Sequence, residues 1–277
     1  METFDVTEIN GLTTIWVDSD RIDACLNYYR DRKIDRLGIS PSRGYTIDNV
    51  DFLNRYPDVN GLVIVFPPGS EFNTSPLLGL SELRSLTLSA PVGLQLRYFK
   101  KLTEFSGYWH KDLELSGCNN IERLDIIGYK AKTGDLTTFP DLPSLKHLGL
   151  VKCSIASLRG ISKFPLLISL SVAYSGKFDD LDEIGMLTNL EVLDFQKCPR
   201  MKQYDVFRSL KNLRVLRVNS CGEIPSLSFI YEMPRLEEFR FVNTNVADGN
   251  LAPLLRLGRV GFLPKRHYSH KPEQFKQ

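Results

Sequence analysis

"LEVLDFQKC", residues 190–198, reads as one turn of a repeating structure. In its L-x-L core the side chains alternate between two faces, as a strand requires. The leucine three residues earlier anchors the chain as it enters that strand. The same phrase recurs clearly as "LRSLTL" at 83, "IERLDI" at 121, "LKHLGL" at 145, "LISLSV" at 167, "LRVLRV" at 213 and "LEEFRF" at 236. Weaker copies are "IDRLGI" at 34, "VNGLVI" at 59, "LTEFSG" at 102 and "LGRVGF" at 257. From 121 onward the steps are 24, 22, 23, 23, 23 and 21 residues; earlier they are 25, 24, 19 and 19. A repeat at this period cannot bury its apolar side alone, so neighbours must stack into one continuous core.

The ninth position of the phrase holds Cys153, Cys198 and Cys221, with Ser175 and Thr244 in sister repeats. It turns inward as the strand ends and wants a small or hydrogen-bonding side chain. These thiols are therefore structural rather than reactive. The segments between strands, such as "LDEIGMLTNL" and "YDVFRSLKNL", space apolar residues by three and four, which predicts short helical turns on the outer face.

Phrase and period together resemble the leucine-rich repeat family, in its short internalin-like class, over residues 34–263. The tail "TNVADGNLAPLL…HYSHK" resembles that of bacterial cytosolic leucine-rich repeat proteins of unassigned function. The resemblance implies an α/β solenoid, a right-handed horseshoe with a parallel concave sheet of about 11 strands and short helical turns on the convex side. It also implies protein recognition on the inner face, one form being a bacterial immunity or regulatory protein that occludes another protein.

The ends must be covered. "TTIWV" at 13–17 predicts a strand, and residues 18–33 a capped helix with Ile22, Cys25, Leu26 and Tyr29 on one face. Residues 1–33 thus form an N-terminal cap with Trp16 in its core, 34–263 the solenoid and 264–277 a tail, all one structural domain. The tail is expected to lie across the final repeat with Tyr268 packing. Its neighbourhood is basic: Arg256, Arg259, Lys265, Arg266, Lys271 and Lys276 against Glu273. His267 and His270 have no further ligands nearby, so no metal is expected there.

The 277 residues are 42% hydrophobic and 25% charged, with net charge +2, ordinary for a soluble globular chain without a strong pull toward nucleic acid or anionic membrane. The acidic N-terminus lacks signal-peptide features, and the longest apolar run, "LVIVF" at 62–66, is far too short for a membrane span. Five cysteines, without a C-x-x-C pair, fit a reducing compartment, so a cytoplasmic location is expected. Phosphate-loop, dinucleotide, zinc-protease and nucleophile-elbow motifs are absent. The acids of "KFDDLDE" at 177–183 lack the spacing of a calcium loop. A non-enzyme without cofactor, metal or small-molecule substrate is expected.

With the leucines pointing into the core, the third, fifth and seventh positions point out of the inner sheet. The fifth-position row includes Asp125, Asp194, Arg217 and Arg240, with Glu238 beside Arg240 and Asp194 beside Arg217. The seventh adds Tyr108, Gln196 and Asn219, and the eighth adds Trp109, Lys152, Tyr174 and Lys197. Tyr, Trp and Arg are the side chains most enriched in binding hot spots, so these residues are expected to touch a protein partner presenting both acidic and basic groups. In the deviant phrase "LTEFSGYWHK", Tyr108 and Trp109 are the contact candidates, and His110 takes the inward ninth position as a structural residue. The alternatives are a polyanion or RNA binder using Arg217, Arg240, Lys152, Lys197 and the basic tail, and an enzyme with an unrecognised site. Acids interleaved among those cations weigh against the first.

Overall fold

Each of the eleven phrases delivers one strand, and each strand begins at the third position of its phrase. In the computed structural model, residues 3–9, 11–67 and 73–275 are described; Lys276, counted above with the basic tail, lies outside them. The chain divides into two compact units, Met1–Leu124 and Asp125–Gln277, which are taken in turn.

The first unit opens with β1 (Val6–Ile9), antiparallel to β2 (Leu12–Trp16), and α1 (Ile22–Asp31). Then come β3 (Arg36–Ile39), β4 (Gly61–Ile64), β5 (Ser85–Leu88) and β6 (Glu104–Tyr108), with β2 to β6 pairing in parallel in chain order. Strand β7 (Arg123–Ile127) carries the junction. The second unit continues with β8 (His147–Val151), β9 (Ser169–Ala173), β10 (Val192–Gln196), β11 (Val215–Asn219), β12 (Glu238–Arg240) and β13 (Arg259–Gly261). From β8 to β13 each strand pairs in parallel with the next, without a register shift: Leu170, Leu193, Leu216, Phe239 and Val260 stand in one row.

The phrase leucines are buried almost without exception. Burying each such side chain contributes about 1.5–3 kcal/mol. Between strands the chain returns through short 3₁₀ segments, among them Asp182–Met186, Tyr204–Ser209 and Ser228–Glu232. A repeat of this period leaves too few residues for a nucleated α-helix. Behind the sheet, Phe195 lies 5.5 Å from Phe178 and 6.1 Å from Phe207, and Phe207 lies 5.8 Å from Phe229. These rings form a spine from repeat to repeat. At the end, Tyr268 packs 5.8 Å from Phe262, and Phe275 closes over Phe262 at 5.5 Å, so the tail seals the last repeat.

The ninth position is a donor ladder. Cys153, Cys198, Cys221 and Thr244 donate to the carbonyls of Ile126, Val172, Phe195 and Val218, each a core residue of the preceding repeat. Burial pushes the Cys153 thiol up to about 11, so it stays a neutral donor.

His110 departs from expectation, whereas Trp16 is buried, as expected, but on the face of the sheet opposite the leucines. Its register partner is Gly38, at the fifth position of its phrase, and a Cβ on Gly38 would fall 2.5 Å from the Trp16 ring. The indole therefore lies on the opposite face from the leucines, over β3. Arg43 covers it at 4.8 Å and is itself paired with Asp5 at 2.9 Å, while the indole Nε1 donates to Thr7 Oγ1. His110, expected inside, is half-exposed and accepts from the Asp112 N–H at 3.2 Å, so it shapes the turn from outside.

Replacing Phe207 with Ala should cost about 3–5 kcal/mol in a urea titration, because it breaks the ring spine in the middle. Tyr231→Ala, removing an exposed ring on the next 3₁₀ segment, should change stability by less than about 0.5 kcal/mol.

Candidate functional site

The parallel register of the second unit sets fifth-position residues side by side: Gly149, Ser171, Asp194, Arg217, Arg240 and Gly261. Asp194 and Arg217 contact at 3.7 Å. Beside this row, at the start of β12 and the third position of its phrase, Glu238 is 1% exposed. Guanidiniums from three successive strands close on its carboxylate. Arg217 reaches Oε1 at 2.9 Å, Arg240 reaches it at 3.1 Å, and Arg259 reaches Oε2 at 3.3 Å.

A buried carboxylate is costly unless it is paired and hydrogen-bonded. Here it is over-supplied with donors, and it holds three cations in a fixed arrangement. The arginines remain partly exposed, at 34%, 50% and 60% of the side chain for Arg217, Arg240 and Arg259. Gly261 gives Arg240 its place: a Cβ there would lie 3.1 Å from Arg240 Cγ, so the arginine stem runs across β13. In the same manner Asp125 lies over Gly149, where a Cβ would meet its Oδ1. Burial raises the Asp194 carboxyl above its ordinary range, against the pull of Arg217; Glu238 adds to the rise.

At the seventh position Gln196 is exposed, whereas the Asn219 side chain accepts from the Val242 N–H at 2.9 Å and so holds the ladder together. The eighth position is not a further outward row. Gly128, Lys152, Tyr174, Lys197, Ser220 and Asn243 occupy it with φ of 78°, 53°, 57°, 53°, 53° and 56°. It is the left-handed step by which the chain leaves the sheet. Glycine adopts this step freely, and other residues do so at a cost of about 1 kcal/mol. Sequence reasoning missed this step; Gly128 and Asn243, the two types that tolerate it best, were the available signal. Tyr174 is 43% exposed, and the Lys197 Nζ sits 4.7 Å from its ring centroid.

In the first unit, Tyr108 is 41% exposed at the end of β6, and Trp109 is half-buried. The odd phrase around them has a packing reason. Gly107 stands where other repeats place a core leucine, and a Cβ there would lie 2.9 Å from the Phe105 ring. Phe105 thus fills two core places.

Among the described residues, no group of three or more His, Cys, Asp or Glu is placed to hold a metal, and no helix is long and apolar enough to cross a membrane. In "KFDDLDE", Asp180 accepts from the Ser157 hydroxyl and Glu183 from the Gly160 N–H, so these acids tie adjacent turns together.

Comparison of folds decides the class. The crystal structure of an internalin, inlF from Listeria monocytogenes, superposes with a TM-score of 0.56 at 14% identity, covering 92% of this chain and 83% of that one. The fold is that of an internalin-like leucine-rich repeat protein. Internalin C2 of the same organism aligns at 18% identity over 69% of this chain and 84% of its own, with a TM-score of 0.39. Among curated proteins, Disease resistance protein RRS1 of Arabidopsis thaliana is 24% identical over 189 residues, 61% of this chain. The chain spans only 14% of the length of that relative. No family model matches it. Leucine-rich repeats of this kind serve in general as protein-interaction scaffolds.

Removing the carboxylate with Glu238→Ala should cost about 3–5 kcal/mol, because three guanidiniums lose their common partner. Arg259→Ala should cost less than about 1 kcal/mol, because Arg259 itself is 60% exposed and Arg217 and Arg240 stay on the carboxylate. Equal losses in a urea titration would show that Glu238 organises nothing.

Asp194 gives a pH signature of definite sign. With the folded carboxyl raised above the unfolded one, the folded state binds its proton more tightly. The stability difference between the native protein and Asp194→Asn should therefore fall as pH rises through the carboxylate range and level off above it. A rising difference would mean that Arg217 outweighs burial.

Proposed function

We propose that this chain is a non-catalytic scaffold that binds a protein partner through the open face of its repeat sheet, with Arg217, Arg240 and Arg259 as the central contacts. The observation that carries the reading is the Glu238 cluster: three arginines from consecutive strands, fixed by one buried carboxylate and still open to solvent. The leucine core does not require them. Held in place beforehand, they lose less side-chain entropy when a partner arrives.

On this reading a partner carboxylate bridges Arg240 and Arg259, the two more exposed guanidiniums. A partner cation meets Asp194 or Asp125, and Gln196 supplies an adaptable hydrogen bond at the strand ends. Lys152, Tyr174 and Lys197 border this face, and Tyr108 and Trp109 offer aromatic contact in the first unit. A bacterial immunity or regulatory role, in which the scaffold occludes another protein, is one form this binding takes.

The test is capture from a lysate of the protein's own source, with native chain and the double variant Arg240→Ala, Arg259→Ala as paired baits. Once a partner is identified, its affinity for each is measured by calorimetry. The double variant should bind at least about 30-fold more weakly, the loss of roughly 2 kcal/mol expected of a hot spot. Unchanged affinity, with both baits equally folded by thermal melting, would place recognition elsewhere.

A further inference from the structure

Two groups of cations in the second unit contrast, apart from those such as Arg159, Lys163 and Arg214 that pair with acids elsewhere. Those on the open face are committed to Glu238 and Asp194. Those in the turns leaving the strands are not. The four residues after each of β7, β8, β9 and β10 include Lys130, Lys152, Lys177, Lys197 and Arg200, and no acid. All five are exposed, and among the described residues none has an ion-pair partner. The backbone places these turns in sequence along one edge. The Lys152 N–H donates to the Ala173 carbonyl, that of Tyr174 to Gln196 and that of Lys197 to Asn219, each at 2.8–2.9 Å. Consecutive turns are therefore one strand spacing apart, about 4.8 Å.

We propose that this edge binds single-stranded nucleic acid, the cations tracking its phosphates and Tyr174 stacking with a base. Five unpaired cations in a chain whose net charge is only +2 make a local field that the composition hides. Tyr174 then decides among anionic polymers. It stands between Lys152 and Lys197 in the row of turns, with Lys197 against its ring and much of its surface still open. A cationic track with an exposed aromatic platform is the combination that binds single strands with little regard to sequence. An acidic peptide would use the charges and leave the ring idle.

The test is fluorescence anisotropy with the full chain and a labelled oligouridylate of about 12 nucleotides. If the five cations neutralise five phosphates, log K should fall with log salt at a slope of about −3.5, roughly a hundredfold between about 50 and 200 mM. Lys152→Glu with Lys197→Glu should weaken binding at least tenfold. Tyr174→Ala should weaken it about fivefold or more, and Tyr174→Phe should restore it. Arg240→Ala, on the open face, should leave it unchanged, which separates this edge from the protein-binding reading. Thermal melting confirms that each variant is folded. The proposal is overturned if the oligonucleotide does not bind at about 50 mM salt, or if reversal of Lys152 and Lys197 has no effect. It is equally overturned if polyglutamate or phosphatidylserine vesicles bind as tightly while Tyr174→Ala is indifferent.

Discussion

Parallel strands at one fixed spacing put like positions side by side, and everything else in this molecule answers to that. For apolar positions the consequence is favourable: leucine stacks on leucine and phenylalanine on phenylalanine, and the core extends without a break. For the ninth position it is also favourable, since Cys153, Cys198, Cys221 and Thr244 each find the equivalent carbonyl in the repeat before. For charges it is adverse. Arg217 and Arg240 are direct register partners. Two like charges about 5 Å apart repel by roughly 1–3 kcal/mol in the dielectric range near a protein surface. Glu238 resolves this from the start of β12, the third position of its phrase: it stands opposite Arg259 in register, and its carboxylate also meets Arg217 and Arg240. Glycines at the row's quiet points, Gly149 and Gly261, give the long neighbouring side chains somewhere to lie.

This constraint also explains how much was legible in the sequence. The eleven strands, and the inward ninth position of the phrases from 121 to 236, follow from period and phrase, because the core there requires the same residue types in every repeat. The N-terminal helix was legible because its apolar face is a local pattern. What stayed hidden depends on relations between repeats. The burial of Glu238 is set by Arg217 and Arg259, which lie more than 20 residues away on either side. The placement of Trp16 depends on a glycine in the next strand, and no local pattern distinguishes an indole behind the sheet from one in front of it. The Gly107 gap looks like a damaged repeat until Phe105 is seen to fill it.

The left-handed eighth position is the most instructive case. By alternation alone it is the residue after an outward side chain, and it could continue the strand or leave it. The backbone leaves it at the same place in six consecutive repeats. Four of the six residues there are neither Gly nor Asn, so this turn carries a conformational cost that side-chain substitution by glycine would remove. The cost is tolerable because the N–H groups of Gly128, Lys152, Tyr174, Lys197 and Ser220 still close ladder bonds to the next repeat, which fixes the step from both sides.

The separation of committed from uncommitted cations gives the second unit two surfaces of different physical character. On the open face the guanidiniums are neutralised at short range, in partly desolvated pairs. Their influence on an approaching molecule is directional and only weakly screened. At the turn edge the lysines are solvated and unpaired, so their field reaches about a Debye length, roughly 8–10 Å at physiological salt, and collapses as salt is added. Arginines at the fifth position and lysines at the eighth, three residues further along the phrase, therefore differ in how far their charge is felt. Ionic strength is the variable that tells the two apart, because it leaves the Glu238 cluster nearly intact and strips the edge of its reach.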